Sequence, residues 1–191
     1  MNIKAFHPIK NVHDGVYNTA SGALINLKAT NTDNIKIADI ANALSHLCRF
    51  GGHVNRFYSV AQHSVLVAGL APKELKKEAL LHDAAEAYLG DVIKPLKIII
   101  GEEYELLEYA FQKEINQKFG LDIHKLQVIK EYDMQALELE HKALQLGDTS
   151  GLIAAMDTAH MYEGVFTYFY SPSEAKIEFM NQFCLLFPNY L

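Results

Sequence analysis

Residues 80–91 read Leu80-Leu81-His82-Asp83-Ala84-Ala85-Glu86-Ala87-Tyr88-Leu89-Gly90-Asp91, and this stretch decides the fold class. The apolar run predicts a helix from about Glu74 to Leu89, with Gly90 as its stop. In such a helix His82 and Glu86 are four apart and Asp83 and Glu86 three apart, which gathers an imidazole and two carboxylates on one side of an Ala/Leu element. A His-Asp pair alone is common, and its plain meaning is a helix histidine beside a solvated acid. Three polar groups together on an apolar helix call for a partner.

Working outward, helical patterns continue on both sides. Upstream, Ser59-Val60-Ala61-Gln62 matches a capping box and puts His63 in the first turns of a helix, and Pro72 restarts the chain. Before that, Asn31 to Asn34 offer N-cap chemistry to a helix marked by Ile37, Ile40, Ala41, Leu44 and Leu47 and ended by Gly51-Gly52. Gly15 to Leu27 suggests a small hairpin turning at Ser21-Gly22, with positive φ at the glycine. Downstream, Pro95 forces a bend, and the Ile98-Ile99-Ile100 triplet is assigned to the core. Helices follow over Glu102 to Phe119 with Gly120 as stop, and over Lys125 to Leu146 with Gly147 as stop, placing Asp133 mid-helix. Less regular patterns run from Leu152 to Tyr162, and from a Ser171-Pro172-Ser173-Glu174 start to Phe187. The expectation is an all-α helical bundle with a small N-terminal β-hairpin, forming one domain over residues 1–191. Its parts are a hairpin at about 15–27, a helical core at about 35–146 and a C-terminal helical extension at about 150–188.

Of the 191 residues, 50% are hydrophobic and 21% charged, the balance of a globular protein rather than a disordered one. A formal net charge of -6 leaves no basic field for duplex nucleic acid. The two cysteines, Cys48 and Cys184, lack metal spacing and no charged-then-apolar leader opens the chain, so a reduced, cytoplasmic setting is expected. No apolar run approaches the roughly 20 residues that span a bilayer.

His63, His82, Asp83 and Asp133 fall on three predicted helices, and each is an N or O donor suited to a first-row divalent cation. Asp133 stands between Tyr132 and Met134 in an apolar-periodic helix, where an unpaired buried charge is costly and a metal would remove the cost. A solvated surface position is the alternative.

These residues carry a resemblance. The order His63, then His82-Asp83, then a distant Asp133 resembles the HD-domain metal-dependent phosphohydrolase superfamily. The stretches Cys48-Arg49-Phe50-Gly51-Gly52-His53, Tyr58 to Ser64, and Gly90-Asp91-Val92-Ile93-Lys94-Pro95-Leu96-Lys97 are similar to its 5′-deoxynucleotidase-like branch, which includes phage dATP triphosphohydrolases. The likeness spans roughly residues 16 to 146 and departs at Phe50, where monophosphatase relatives tend to carry tryptophan.

The resemblance implies an all-helical core, His63, His82, Asp83 and Asp133 as metal ligands, and hydrolysis of a 5′-phosphoester of a 2′-deoxynucleotide. The metal would be Co, Mn, Zn, Ni or Fe, with a further Mg or Mn ion accompanying the phosphates. Glu86 then serves as base or orienting group for the water, and Asp91 as acid for the leaving oxygen or as holder of a second ion. Arg49 offers a planar fork to phosphate, with Lys94, and after it Lys97, as further cations. Phe50 and Pro95, with the hairpin residues Ser21-Gly22-Ala23-Leu24, are candidates for lining a base and sugar slot, and His53 for contacting phosphate or base. His7, His13, His46, His124, His141 and His160 read as structural or exposed. A homo-oligomer is expected. Two alternatives stay open: hydrolysis of cyclic or hyperphosphorylated nucleotides, and a nucleotide-sensing domain without turnover.

Overall fold

Val60 to Ala68 is buried on every side, and a helix without a polar face has to sit at the centre of its domain. In the computed structural model, which describes residues 15–29, 31–159 and 168–190, this helix is α2 (Val60–Leu70), and the rest is built around it. The other helices are α1 (Ile37–His46), α3 (Lys76–Leu80), α4 (Glu86–Leu89), α5 (Lys94–Ile100), α6 (Glu102–Phe119), α7 (Leu126–Leu144), α8 (Ser150–Ala159) and α9 (Pro172–Leu186). The expected all-α class holds: nine α-helices among the described residues, plus one two-stranded antiparallel hairpin, β1 (Val16–Asn18) and β2 (Leu24–Asn26). Helices α1, α3, α7, α8 and α9 all pack against α2. The C-terminal segment therefore completes the core, with Phe179, Phe183 and Phe187 buried and the Phe183 and Phe187 rings stacked at 4.5 Å.

Local signals succeed where the backbone has no competing partner. Gly22 takes φ 80 at the hairpin turn. The turn is anchored by Asp39, which accepts from Thr19 Oγ1, Ser21 N and Ser21 Oγ at 2.6–2.8 Å. Ser171 and Glu174 close a full capping box on α9. Only half of the expected box exists at Ser59: its hydroxyl accepts from Gln62 N, but the Gln62 amide donates to Tyr168 O at 2.7 Å instead. Tertiary bonding outbids the local return bond there. Asn31 caps a short 3-10 turn, and α1 begins only at Ile37 without a side-chain cap. That helix ends at His46, before Gly51-Gly52, because Leu47 and Arg49 turn extended to pair with Val60 and Tyr58.

Three further expectations are corrected. Pro95 does not bend the chain but occupies the first turn of α5, where its missing N–H is harmless. The isoleucine triplet is not core: Ile98, Ile99 and Ile100 are 69%, 80% and 42% exposed. Successive residues on a helix point about 100° apart, so one short helix against one neighbour cannot bury three in a row. The helix over Glu74–Leu89 is broken into a 3-10 turn, α3 and α4, with the His-Asp pair in the gap. The pattern from Leu152 to Tyr162 is helical to Ala159, and its remainder lies outside the described residues.

Candidate metal centre

The break between α3 and α4 builds the site. In a continuous helix Ala85 N would bond Leu81 O. Here the Gln112 side chain of α6 stands between them, donating from Nε2 to Leu81 O at 2.8 Å and accepting from Ala85 N at 3.2 Å. His82 Nδ1 takes the Ala79 carbonyl at 2.8 Å, and the turn continues on three-residue bonds such as Ala84 N to Leu81 O and Glu86 N to Asp83 O. Side chains inserted into a helical ladder open it. The opened turn lets two adjacent residues face one point, which a regular helix forbids: His82 Nε2 and Asp83 Oδ2 are 3.1 Å apart.

At that point α2 and α7 deliver the other donors. His63 Nε2 lies 3.4 Å from Asp83 Oδ2 and 3.1 Å from Asp133 Oδ1, and His82 Nε2 lies 3.9 Å from Asp133 Oδ1. One donor atom each of His63, His82 and Asp133 falls within 4.8 Å of the others. These residues form a group that could hold a metal ion. The second nitrogen of each ring supports that fit. His82 Nδ1 must donate, because a carbonyl only accepts, and His63 Nδ1 donates to Glu140 Oε1 at 2.7 Å. With Nδ1 donating outward, each ring turns its Nε2 inward, and in the neutral form that atom carries the lone pair of a metal-binding histidine. Both Nε2 atoms are buried and have no hydrogen-bond partner.

The electrostatics ask for a cation. Burial acts to raise the Asp83 carboxyl, yet His82 and His63 hold it well below the usual carboxylate range. Asp133 is likewise lowered against its burial, by His63 and His82. Burial and Arg49 act to lower His63, but Glu140, Asp133 and Asp83 pull it well above an ordinary imidazole. Without a metal, a proton supplies the positive charge these carboxylates favour.

Glu140 escaped sequence reasoning. It is fully buried, holds His63 and accepts from Arg49 Nε at 2.9 Å. Seven residues after Asp133, it lies two turns along the same side of α7, which was the available signal. Gln112 was also missed, a polar residue on the buried face of α6 beside Phe111 and Ile115.

The other candidates are distributed unevenly. A cavity of about 300 Å³ is lined by His82, Asp83, Glu86, Lys97, Glu108 and Gln112 among others. Glu86 is buried there: Oε1 is 3.3 Å from Lys97 Nζ, and Oε2 has no partner. Burial, then Asp83 and Asp91, push its carboxyl well above the usual range. Asp91, half-buried after Gly90, is raised mainly by burial, with Arg49 opposing. The Arg49 guanidinium has NH1 4.0 Å from Asp83 Oδ2 and stands 5.5 Å from the Phe50 ring centroid. Phe50, at φ 56 among the non-glycine residues, borders a separate hollow of about 690 Å³ with Met134, Leu137 and His141. His53 lines a third hollow with Leu144 and Gln145. Lys94 and Pro95 are exposed on α5 and line none of these three, whereas Lys97 reaches the first. His46, His124 and His141 are exposed, and His7, His13 and His160 lie outside the described residues. Among the described residues no helix is long and apolar enough to cross a membrane.

No protein-family model matches the chain. It is 36% identical over 110 residues to an uncharacterised protein of Rhodobacter capsulatus, covering 53% of this chain and 56% of that one, so it spans about half the length of that relative. It is also 42% identical over 132 residues to the uncharacterised protein YfdR of Escherichia coli strain K12, covering 69% of this chain and 74% of YfdR. With a buried His-His-Asp group consistent with an HD-like site, the chain belongs to the family that includes YfdR.

Proposed function

We propose that this protein is an HD-type metal-dependent phosphohydrolase that cleaves the 5′-phosphoester of 2′-deoxynucleotides, dATP among them. The observation that carries it is the pair of inward Nε2 atoms on His63 and His82 beside Asp83 and Asp133, opening onto a cavity that also holds Glu86. The stretches Cys48 to His53, Tyr58 to Ser64 and Gly90 to Lys97, similar to the 5′-deoxynucleotidase-like branch, support the choice of substrate class.

His63, His82, Asp83 and Asp133 would hold a first-row divalent ion, which supplies Lewis acidity toward a phosphate oxygen and acidifies water. Glu86 Oε2, buried and without a partner, takes the proton of the attacking water as its oxygen bonds phosphorus. Lys97 on Oε1 fixes the orientation of that carboxylate. Asp91, its carboxyl raised by burial, gives a proton to the 5′ oxygen as the ester bond breaks. The products are a deoxynucleoside and phosphate or tripolyphosphate. Arg49 keeps Nε on Glu140 and binds phosphate through its terminal nitrogens, with Lys97 rather than Lys94 as the second cation. A further Mg²⁺ or Mn²⁺ would accompany the phosphates. Phe50, beside Arg49 at the edge of the neighbouring hollow, would meet the base. Exposed apolar residues of α5 and α6, among them Ile99 and Leu106, offer a face for a homo-oligomer.

The test is a panel of deoxynucleoside and ribonucleoside mono-, di- and triphosphates with added Mn²⁺ or Co²⁺ and products resolved by chromatography. Phosphate or tripolyphosphate release from deoxynucleotides supports the assignment. Metal-loaded protein that releases neither from any substrate would be a sensor, and the enzyme assignment would fail.

A further inference from the structure

We infer that Gln112 is a positioning residue, the clasp that makes His82 and Asp83 ligands of a single ion. The inference rests on the metal assignment above and concerns a residue of α6 that touches none of the four donor atoms.

Its two bonds land on Leu81 O and Ala85 N, the pair of backbone groups that an α-helix would have joined to each other. These groups bracket His82 and Asp83. Were the helix regular, the two side chains would diverge by about 100° and could not share an ion. With the amide inserted, His82 Nε2 and Asp83 Oδ2 stand 3.1 Å apart and both stand within 4 Å of donor atoms from α2 or α7. The residues flanking the pair, Leu80, Leu81, Ala84, Ala85 and Glu86, are strong helix formers, so the local bond of His82 to Ala79 O works against them and the amide from α6 adds the clasp on the far side. The amide is in turn held by Asn116 Oδ1, 2.9 Å from Nε2, and the residue is buried. Gln112 also lines the cavity with Asp83 and Glu86. A glutamine serving only core packing would satisfy itself anywhere; this one substitutes for a specific helical bond at the one turn where the metal donors diverge without it.

The experiment replaces Gln112 by Met, which keeps length and loses both bonds, and by Asn, which keeps the amide but is too short to span both groups. Gln182→Met is the matched control, because Gln182 is buried and donates within α9 to Glu178, away from the centre. Metal affinity is read by competition with a chromophoric chelator, coordination by the visible spectrum of the Co²⁺ form, and folding by the melting temperature of metal-free protein. Gln112→Met and Gln112→Asn should each weaken Co²⁺ binding at least 10-fold and alter its spectrum, while Gln182→Met changes neither. If the Gln112 variants lose melting temperature as the control does but keep wild-type affinity and spectrum, the inference is overturned. Should Gln112→Met not fold, Gln112→Asn decides the matter by the same two readouts. Failure of the metal assignment would look different: wild-type protein would bind no Co²⁺.

Discussion

Replacing Glu140 by Gln separates metal support from core support. Glu140 makes two charge-assisted bonds, 2.7 Å from His63 Nδ1 and 2.9 Å from Arg49 Nε, with no exposed side-chain surface. Gln keeps one acceptor oxygen but no charge and brings an NH2 donor to face a donor, so at most one partner keeps a hydrogen bond and both lose the anion. Loss of an outer partner of a ligating histidine costs about 10–100-fold in metal affinity, which is roughly 1.4–2.7 kcal/mol. The buried Arg49 charge also loses its counterion, a loss of about 3 kcal/mol at the lower end for breaking a buried pair. At about 2–4 °C per kcal/mol for a chain of this size, the metal-free protein should melt roughly 6–12 °C lower. Glu138→Gln is the control, because Glu138 pairs with Lys142 at the surface and should leave affinity unchanged. Chelator competition measures affinity and calorimetry measures melting. A lower melting temperature with affinity within twofold of wild type would refute the role of Glu140 in fixing the His63 tautomer.

Asp83→Ala should abolish Co²⁺ binding and turnover together; activity at the wild-type level would remove Asp83 from the ligand set. Glu86→Gln should keep the metal and lose the rate. It should also stabilise metal-free protein as pH rises: the folded carboxyl of Glu86 is raised by burial, so its stabilising contribution is present below the unfolded value and lost as pH climbs through the folded one. The melting-temperature gap between Glu86→Gln and wild type should therefore widen from pH 4 to pH 8, and a gap that narrows contradicts the burial argument. Lys97→Met should raise KM for a nucleotide more than Lys94→Met does, because only Lys97 lines the cavity beside Glu86; equal effects would return Lys94 to the phosphate.

Periodic apolar spacing made α6, α7 and the all-α class legible in the sequence, since each of those helices buries one face and ends at a glycine or close to one. The order His63, His82, Asp133 likewise pointed to the three side chains that the fold gathers into a group that could hold a metal ion. The glutamine at position 62 matched a capping box and the isoleucines at 98–100 matched a core segment, yet neither prediction held, because each depended on what stood opposite.

Composition and spacing determined by themselves that this chain is helical, that its polar residues concentrate near one turn, and which donor types it brings there. Only the tertiary structure decided that the turn is not a helix and that Glu140 and Gln112 serve it. It also placed Lys97, not Lys94, at the cavity. The reason is physical: helix propensity and periodicity are local, whereas the Leu81 carbonyl and Ala85 amide are claimed by a side chain about thirty residues away, and the His63 tautomer is set by a carboxylate 77 residues away.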